Sequence, residues 1–122
     1  MKHIALLTCV CGLMLLGSCK NQSAQNEQPL EVMTFNVRLD APSDSANNWK
    51  YRKDNVCQMI TYYQPDLLGM QEVRHNQMED LKQGLPQYTA LGVGRDDGKE
   101  AGEYCPIFFN SHRFTLVEYG NF

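Results

Sequence analysis

The stretch Gln64–Val73, with the sequence QPDLLGMQEV, is the part of this 122-residue chain that decides its fold. Its short apolar run, Leu67–Met70, closes on a glutamine and a glutamate. Such a run is typical of a strand buried on both faces, and open α/β sheets bind ligands where such strands end. Glu72 is therefore a candidate ligand for Mg²⁺, which prefers oxygen donors. Taken alone, a glutamate at a strand end is more often simply solvated.

The residues before this stretch predict a strand, a loop and a helix. Leu30–Val37 is rich in apolar and β-branched residues and predicts a strand that delivers Asn36 at its end. Arg38–Asn48 is rich in Pro, Ser, Asp and Asn and predicts a loop. Asn48 is placed to cap a helix of about four turns, which Pro65 ends. The stripe of this helix contains Trp49, Arg52, Val56, Met59, Ile60 and Tyr63.

The residues after this stretch predict a second helix and three further strands. Asn76–Leu85 has apolar residues at helical spacing and ends before a proline. Gln87–Val93 predicts a strand, and Glu103–Phe109 and Arg113–Val117 are expected to pair as a hairpin. The expected order β-α-β-α-β-β-β indicates an α/β (α+β) fold, a mixed sheet with helices on one face. Because the expected strands are apolar on both faces, the other face needs a partner layer.

The first nineteen residues predict a bacterial lipoprotein signal. A basic start precedes an apolar run that is shorter than the roughly 20 residues of a membrane-spanning helix. The run ends in Leu16–Cys19 (LGSC), small residues before a cysteine. We expect residues 1–18 to be removed, Cys19 to be lipidated, residues 19–29 to form a flexible tether and residues 30–122 to form the folded domain. A plain signal peptide is the alternative.

The expected location and the charge of the chain limit its partners. A lipid on Cys19 would hold the protein to a membrane of the cell envelope, with the outer membrane expected and its leaflet left open. Eleven basic and fourteen acidic residues give a formal net charge of -3. Because no basic surplus is present to release counterions from nucleic acid, we expect no stable nucleic-acid complex. A phosphate substrate would have to be bound by a local site.

Four motifs in register resemble those of the endonuclease/exonuclease/phosphatase superfamily, metal-dependent phosphodiesterases that include pancreatic-type deoxyribonucleases and bacterial sphingomyelinases. The motifs are VMTFNVRLD (Val32–Asp40), NNWKYRKDNV (Asn47–Val56), QPDLLGMQEV (Gln64–Val73) and LGVGRDDGKEAGEYCPIFF (Leu91–Phe109). The resemblance implies the N-terminal half of a four-layer α/β/β/α sandwich. It also implies Mg²⁺ (or Mn²⁺) as cofactor and a phosphate ester as substrate.

The resemblance also implies roles for four residues. Glu72 would bind the metal, and Asn36 beside it would contact the metal or a phosphate oxygen. Arg95 would bind phosphate through its guanidinium fork, and Glu103 would orient a catalytic histidine. Asn36 and Glu103 are thus the catalytic candidates. Some members carry an aspartate where this chain has Arg38, so we expect a single-metal site.

Four other reactive side chains are expected to be structural. His75 and His112 do not match the position of the family's general base, so both are interpreted as surface histidines. An exported domain permits a disulfide between Cys57 and Cys105, but the sequence leaves their geometry open. Unless they pair, both cysteines are expected to be small core residues.

The remaining catalytic residues of the family have no counterpart in this sequence. Relatives continue with a histidine, an Asp-x-Asn pair and a closing Asp-His, so we expect the sequence to be truncated and inactive by itself. Its expected partner is the missing C-terminal half of the same domain. In its full-length form the protein is expected to be a metal-dependent hydrolase of phosphate esters. The alternative is a non-catalytic lipid-anchored binding module or an inactive gene fragment.

Overall fold

The computed structural model of the protein describes residues 28–121. The elements are β1 (Val32–Asn36), a 3-10 segment (Pro42–Asn47), α1 (Trp49–Tyr63), β2 (Leu67–Gln71), α2 (His75–Gly84), β3 (Tyr88–Leu91) and β4 (Ile107–Asn110). The expected signal peptide, the lipidation site Cys19 and the tether up to residue 27 lie outside the described residues. Within the described range, no helix has the length and apolar character needed to cross a bilayer.

The four strands form one mixed sheet in the order β1-β2-β4-β3. β1 and β2 are parallel, with Asn36 opposite Gln71, whereas β4 runs antiparallel to both of its neighbours. Parallel strands need a crossover connection, and α1 lies within that connection. As a result, Asn36 and the residue that follows Gln71 arrive at the same edge of the sheet.

Both helices pack on one face of the sheet, as predicted. Asn48 caps α1 by accepting a hydrogen bond from the Lys50 amide at 3.3 Å. Tyr63 is predicted to lie in the apolar stripe but is 57% exposed, because α1 ends there and Gln64 turns the chain with a φ of 48°.

The core lies between the helices and the sheet. Each large side chain that is fully buried contributes roughly 1.5–3 kcal/mol to the free energy of unfolding. The largest of these are Trp49, Phe108, Ile60, Leu68, Met70, Met78, Leu81 and Leu85.

The predicted hairpin between Glu103–Phe109 and Arg113–Val117 is wrong. β4 pairs with β2 and β3 instead, and the second segment contains no strand. The Asn110 carbonyl accepts the Arg113 amide at 3.1 Å, which turns the chain directly after β4. The Arg113 guanidinium then forms an ion pair with the buried carboxylate of Asp66. These contacts turn the chain away from β4 after Asn110. The neighbour of β4 on this side of the sheet is therefore β3 and not the segment Arg113–Val117.

The two cysteines of the described residues are both free. Cys57 is half-buried in α1 and packs against the core, as predicted for a small core residue. Burial raises the pKa of its thiol. Cys105 is exposed, so its predicted core position is wrong. Side chains two residues apart along an extended chain point to the same face. Cys105 therefore lies on the same side as Ile107, on the sheet face that the helices do not cover.

The second face of the sheet is apolar and partly uncovered. Its apolar side chains are Val32, Leu67, Leu91, Ile107 and Phe109, of which Phe109 is buried and Leu67 and Leu91 are half-buried. Val32 is 67% exposed and Ile107 is 52% exposed. An added Cβ at Gly69, in the middle of this face, would meet no atom within 4 Å. The uncovered apolar face predicted from the sequence is therefore present, and we call it the open face.

We predict that a chain of residues 19–122 binds 8-anilinonaphthalene-1-sulfonate through the open face, since apolar patches of this kind are rare on monomers. Replacement of Ile107 by Asn should lower the dye fluorescence, while the near-UV circular dichroism of Trp49 stays unchanged. A monomer that melts sharply and binds no dye would contradict the prediction.

Candidate active site

Asn36 and Glu72 meet at the edge of the sheet where the parallel strands end. Asn36 Nδ2 donates to Glu72 Oε1 at 2.8 Å, and the Leu39 amide donates to Glu72 Oε2 at 3.2 Å. The Arg38 amide donates to Asn36 Oδ1 at 2.8 Å. A carboxylate only accepts and a backbone amide only donates, so these partners fix which way the Asn36 amide is turned. Both oxygens of the Glu72 carboxylate are thus held in place.

The backbone is strained on both sides of this contact. Arg38 has a φ of 57° and Glu72 a φ of 60°, in the left-handed region that residues other than glycine avoid. Such conformations cost roughly 1–3 kcal/mol each and concentrate at functional sites. The Arg38 side chain is held in turn by Asp44, whose two oxygens accept from Nε at 2.7 Å and Nη2 at 2.8 Å.

Hydrogen bonds and charge keep the Glu72 carboxylate ionised. The Asn36 hydrogen bond lowers the pKa of Glu72, and the Leu39 amide and the charge of Arg38 act in the same direction. Likewise, the Arg38 guanidinium lowers the pKa of Asp44. These groups face an open cleft of about 470 Å³. The cleft is lined by Asn36, Arg38, Leu39, Ala41, Asp44 and Glu72.

Arg52 fixes both ends of the loop that forms one side of this cleft. Its guanidinium donates to the carbonyls of Asn47 at 2.6 Å, Val37 at 2.8 Å and Arg38 at 3.1 Å. It also lies 5.6 Å from the centre of the Trp49 ring. The sequence placed Arg52 on the apolar stripe of α1 without a role, because its carbonyl partners belong to a loop that only the folded chain brings near.

Arg95 and Glu103 form a second pair. Arg95 Nη1 donates to Glu103 Oε2 at 3.2 Å, and the Arg95 amide donates to the Glu103 carbonyl at 3.1 Å. Arg74 Nη2 lies 3.9 Å from the other oxygen of Glu103. The Arg95 side chain is 65% exposed, whereas that of Glu103 is 19% exposed. The exposed guanidinium therefore keeps N–H groups that can donate to an anion.

A backbone bridge joins the two pairs. The Val73 amide donates to the Tyr104 carbonyl at 3.3 Å, and the Tyr104 amide donates to the Val73 carbonyl at 2.7 Å. Glu72 and Glu103 directly precede the two bridged residues. The structure thus brings the four predicted residues into two adjacent pairs, although no hydrogen bond or ion pair of the described residues joins one pair directly to the other.

The two described histidines have other partners. His75 is the first residue of α2, with Nδ1 at 3.1 Å from the Tyr104 hydroxyl and Nε2 at 3.7 Å from a carboxylate oxygen of Glu100. His112 is exposed in the turn after β4. Within residues 28–121, the Glu103 carboxylate faces arginines, so its predicted role in orienting a histidine stays a prediction.

The donors at Glu72 fit a magnesium ion. Each carboxylate oxygen of Glu72 accepts one protein hydrogen bond and retains a lone pair, as does Asn36 Oδ1. No group of three or more His, Cys, Asp or Glu side chains converges within the described part of the chain. One carboxylate with few protein ligands suits Mg²⁺, which keeps several waters and binds substrate phosphates. It does not suit an ion that requires an all-protein cage.

We predict that Asn36→Ala raises the pKa of Glu72 in the metal-free protein, because it removes the largest cause of the lowered value. Since the folded pKa lies below the unfolded one, Glu72 contributes stability at higher pH that is lost as the pH falls through the folded pKa. In the variant, Glu72 should contribute less stability, and the loss should be complete at a higher pH. NMR titration of the Glu72 carboxyl carbon measures the change, and Gln71→Ala, next to Glu72, is the control. Equal pKa values in wild type and Asn36→Ala would contradict the prediction.

Comparison with known proteins identifies the family. The model of the Endonuclease/Exonuclease/phosphatase family matches residues 33–120. The chain is 54% identical to the endonuclease/exonuclease/phosphatase of Bacteroides vulgatus, over 73% of this chain and 34% of that one, with a TM-score of 0.72. It is 41% identical to a mannosyl-6-phosphatase of Bacteroides thetaiotaomicron, over 75% of this chain and 35% of that one, again with a TM-score of 0.72.

A more distant relative shares the same part of the domain. Human nocturnin is 29% identical over 114 residues, which are 76% of this chain and 26% of nocturnin. The chain thus spans about a third of the two solved structures and about a quarter of nocturnin. Its fold agrees with the solved structures, and the family match covers most of its residues. The chain belongs to the Endonuclease/Exonuclease/phosphatase family.

Proposed function

We propose that this chain is the N-terminal part of a divalent-metal-dependent hydrolase of phosphate esters. The observation that carries the proposal is the Glu72 carboxylate, held at both oxygens by Asn36 and the Leu39 amide beside an open cleft. The Arg95–Glu103 pair next to it adds an exposed guanidinium that can bind a phosphate group. A metal carboxylate and a phosphate-binding arginine on neighbouring segments are the parts that phosphate ester hydrolysis requires.

In this proposal each residue of the two pairs has a defined role. Glu72 and Asn36 hold Mg²⁺ (or Mn²⁺), which neutralises phosphate charge and polarises its oxygens when bound. Arg95 binds a non-bridging phosphate oxygen. Glu103 limits the motion of Arg95 and orients the general base, a histidine that the rest of the protein contributes. The second half of the sandwich covers the open face and completes the site.

A phosphorylated sugar is the favoured substrate class. The mannosyl-6-phosphatase relative is 41% identical to this chain over a matched region that covers 75% of this chain. The chain has a formal net charge of -3, which disfavours long nucleic acids that bind through many phosphate contacts. A single phosphate needs only the local positive charge of Arg95.

We predict that Glu72→Gln lowers metal-dependent phosphate release from mannose 6-phosphate by at least about 100-fold in the whole protein. Removal of a metal ligand costs several kcal/mol of transition-state stabilisation, and each 1.36 kcal/mol is about tenfold in rate. Activity should disappear with a chelator and return with Mg²⁺. Glu79→Gln, a charge-matched change on the exposed face of α2, should leave turnover unchanged.

Two outcomes would reject the proposal. Equal turnover in wild type and Glu72→Gln would show that the activity does not depend on this site. Binding of Mn²⁺ or of sugar phosphate without turnover, in a protein that carries the complete domain, would support the alternative of a non-catalytic binding module.

We further propose that the protein is anchored in the cell envelope through lipid on Cys19, which follows small residues and an apolar run. Cys19→Ser should therefore abolish incorporation of radiolabelled palmitate and release the protein from the membrane fraction. Cys105→Ser is the matched control, since Cys105 is an exposed free cysteine. Membrane association that persists in Cys19→Ser would refute the anchor.

A further inference from the structure

Gln77 is a glutamine of α2 whose side chain is fully buried, with 0% exposure. Its Oε1 accepts from the Asp40 amide and from the Arg74 amide, both at 3.0 Å. Its Nε2 donates to the Arg38 carbonyl at 3.0 Å. One buried amide therefore connects the backbone that follows β1 with the backbone that follows β2.

These hydrogen bonds bracket the backbone amide that holds Glu72. The Arg38 carbonyl and the Leu39 amide belong to one planar peptide group and point in opposite directions. When Gln77 fixes the Arg38 carbonyl, it also fixes the direction of the Leu39 N–H, which donates to Glu72 Oε2 at 3.2 Å. The bond to the Asp40 amide holds the following peptide group, so the Leu39 amide is restrained on both sides.

Gln77 also restrains the segment that carries Glu72. Its bond to the Arg74 amide lies two residues beyond Glu72, whose φ of 60° needs support from its surroundings. A glutamine that only capped α2 would need this bond alone. The other two reach 37 and 39 residues back along the chain, to the loop that faces the cleft.

We infer that Gln77 is a positioning residue of the metal site. It fixes the Leu39 amide and thereby the orientation of the Glu72 carboxylate, which sets the affinity for the divalent ion. The inference about affinity rests on the proposed function, whereas the restraint on the Leu39 amide does not. Changes to groups that orient a metal ligand typically cost 10–100-fold in metal affinity.

The test uses Gln77→Met in the whole protein, because methionine has a similar length and cannot form the three hydrogen bonds. Two quantities are measured, the affinity for Mn²⁺ by electron paramagnetic resonance and the hydrogen exchange rate of the Leu39 amide by NMR without metal. Gln83→Met, exposed on the same helix, is the matched control. Leu85→Ala, a buried core change at the other end of α2, is the control for a general loss of stability.

We expect Gln77→Met to weaken Mn²⁺ binding about 10–100-fold and to speed exchange of the Leu39 amide, while both controls bind Mn²⁺ like wild type. The inference is overturned if Leu39 exchange in Gln77→Met equals that of wild type, or if Leu85→Ala weakens binding and speeds Leu39 exchange as much. A wild-type protein that binds no Mn²⁺ would instead overturn the proposed function together with the claim about affinity. The exchange measurement would still decide whether Gln77 holds the Leu39 amide.

Discussion

The parallel pairing of β1 and β2 is the constraint on which the site depends. Its register sets Asn36 opposite Gln71, and the next residue, Glu72, reaches Asn36 Nδ2 at 2.8 Å from a left-handed backbone conformation with a φ of 60°. A shift by one residue would turn every side chain of a strand to the other face and would expose Leu68 and Met70, which are buried in the core. The apolar contacts that stabilise the sheet therefore also fix the separation of the two polar groups.

Polar side chains that bind backbone groups hold the loop next to the site in place. The segment between Asn36 and α1 has few buried apolar residues, so the hydrophobic effect does little to order it. Arg52 and Gln77 bind its carbonyl and amide groups instead, from two different helices. Because these side chains are partly or fully buried, leaving their partners unsatisfied would be costly, and the loop is held in one arrangement.

The charges of the site are balanced locally. Glu72 lies near Arg38, which is itself paired with Asp44, and Glu103 lies between arginines. The lowered pKa values of Glu72 and Asp44 keep these two carboxylates ionised at neutral pH, so that they can act as ligands or as hydrogen-bond acceptors. The exposed Arg95 guanidinium lies 3.2 Å from Glu103 and 3.6 Å from Asp96, and its remaining N–H groups can donate to a phosphate group.

Local patterns in the sequence determined most of the secondary structure and the position of two residues of the candidate site. The alternation of apolar and polar residues, the Asn48 cap and Pro65 predicted β1, α1, β2 and α2 to within a few residues, and they put Asn36 and Glu72 at strand ends. The resemblance to the family added Arg95 and Glu103. Those signals work because they depend on neighbours within one or two turns. Only the tertiary structure decided that β4 lies between β2 and β3, since the Arg113–Asp66 contact joins residues 47 positions apart. It alone revealed Gln77, whose partners meet only after the two helices have packed on the sheet.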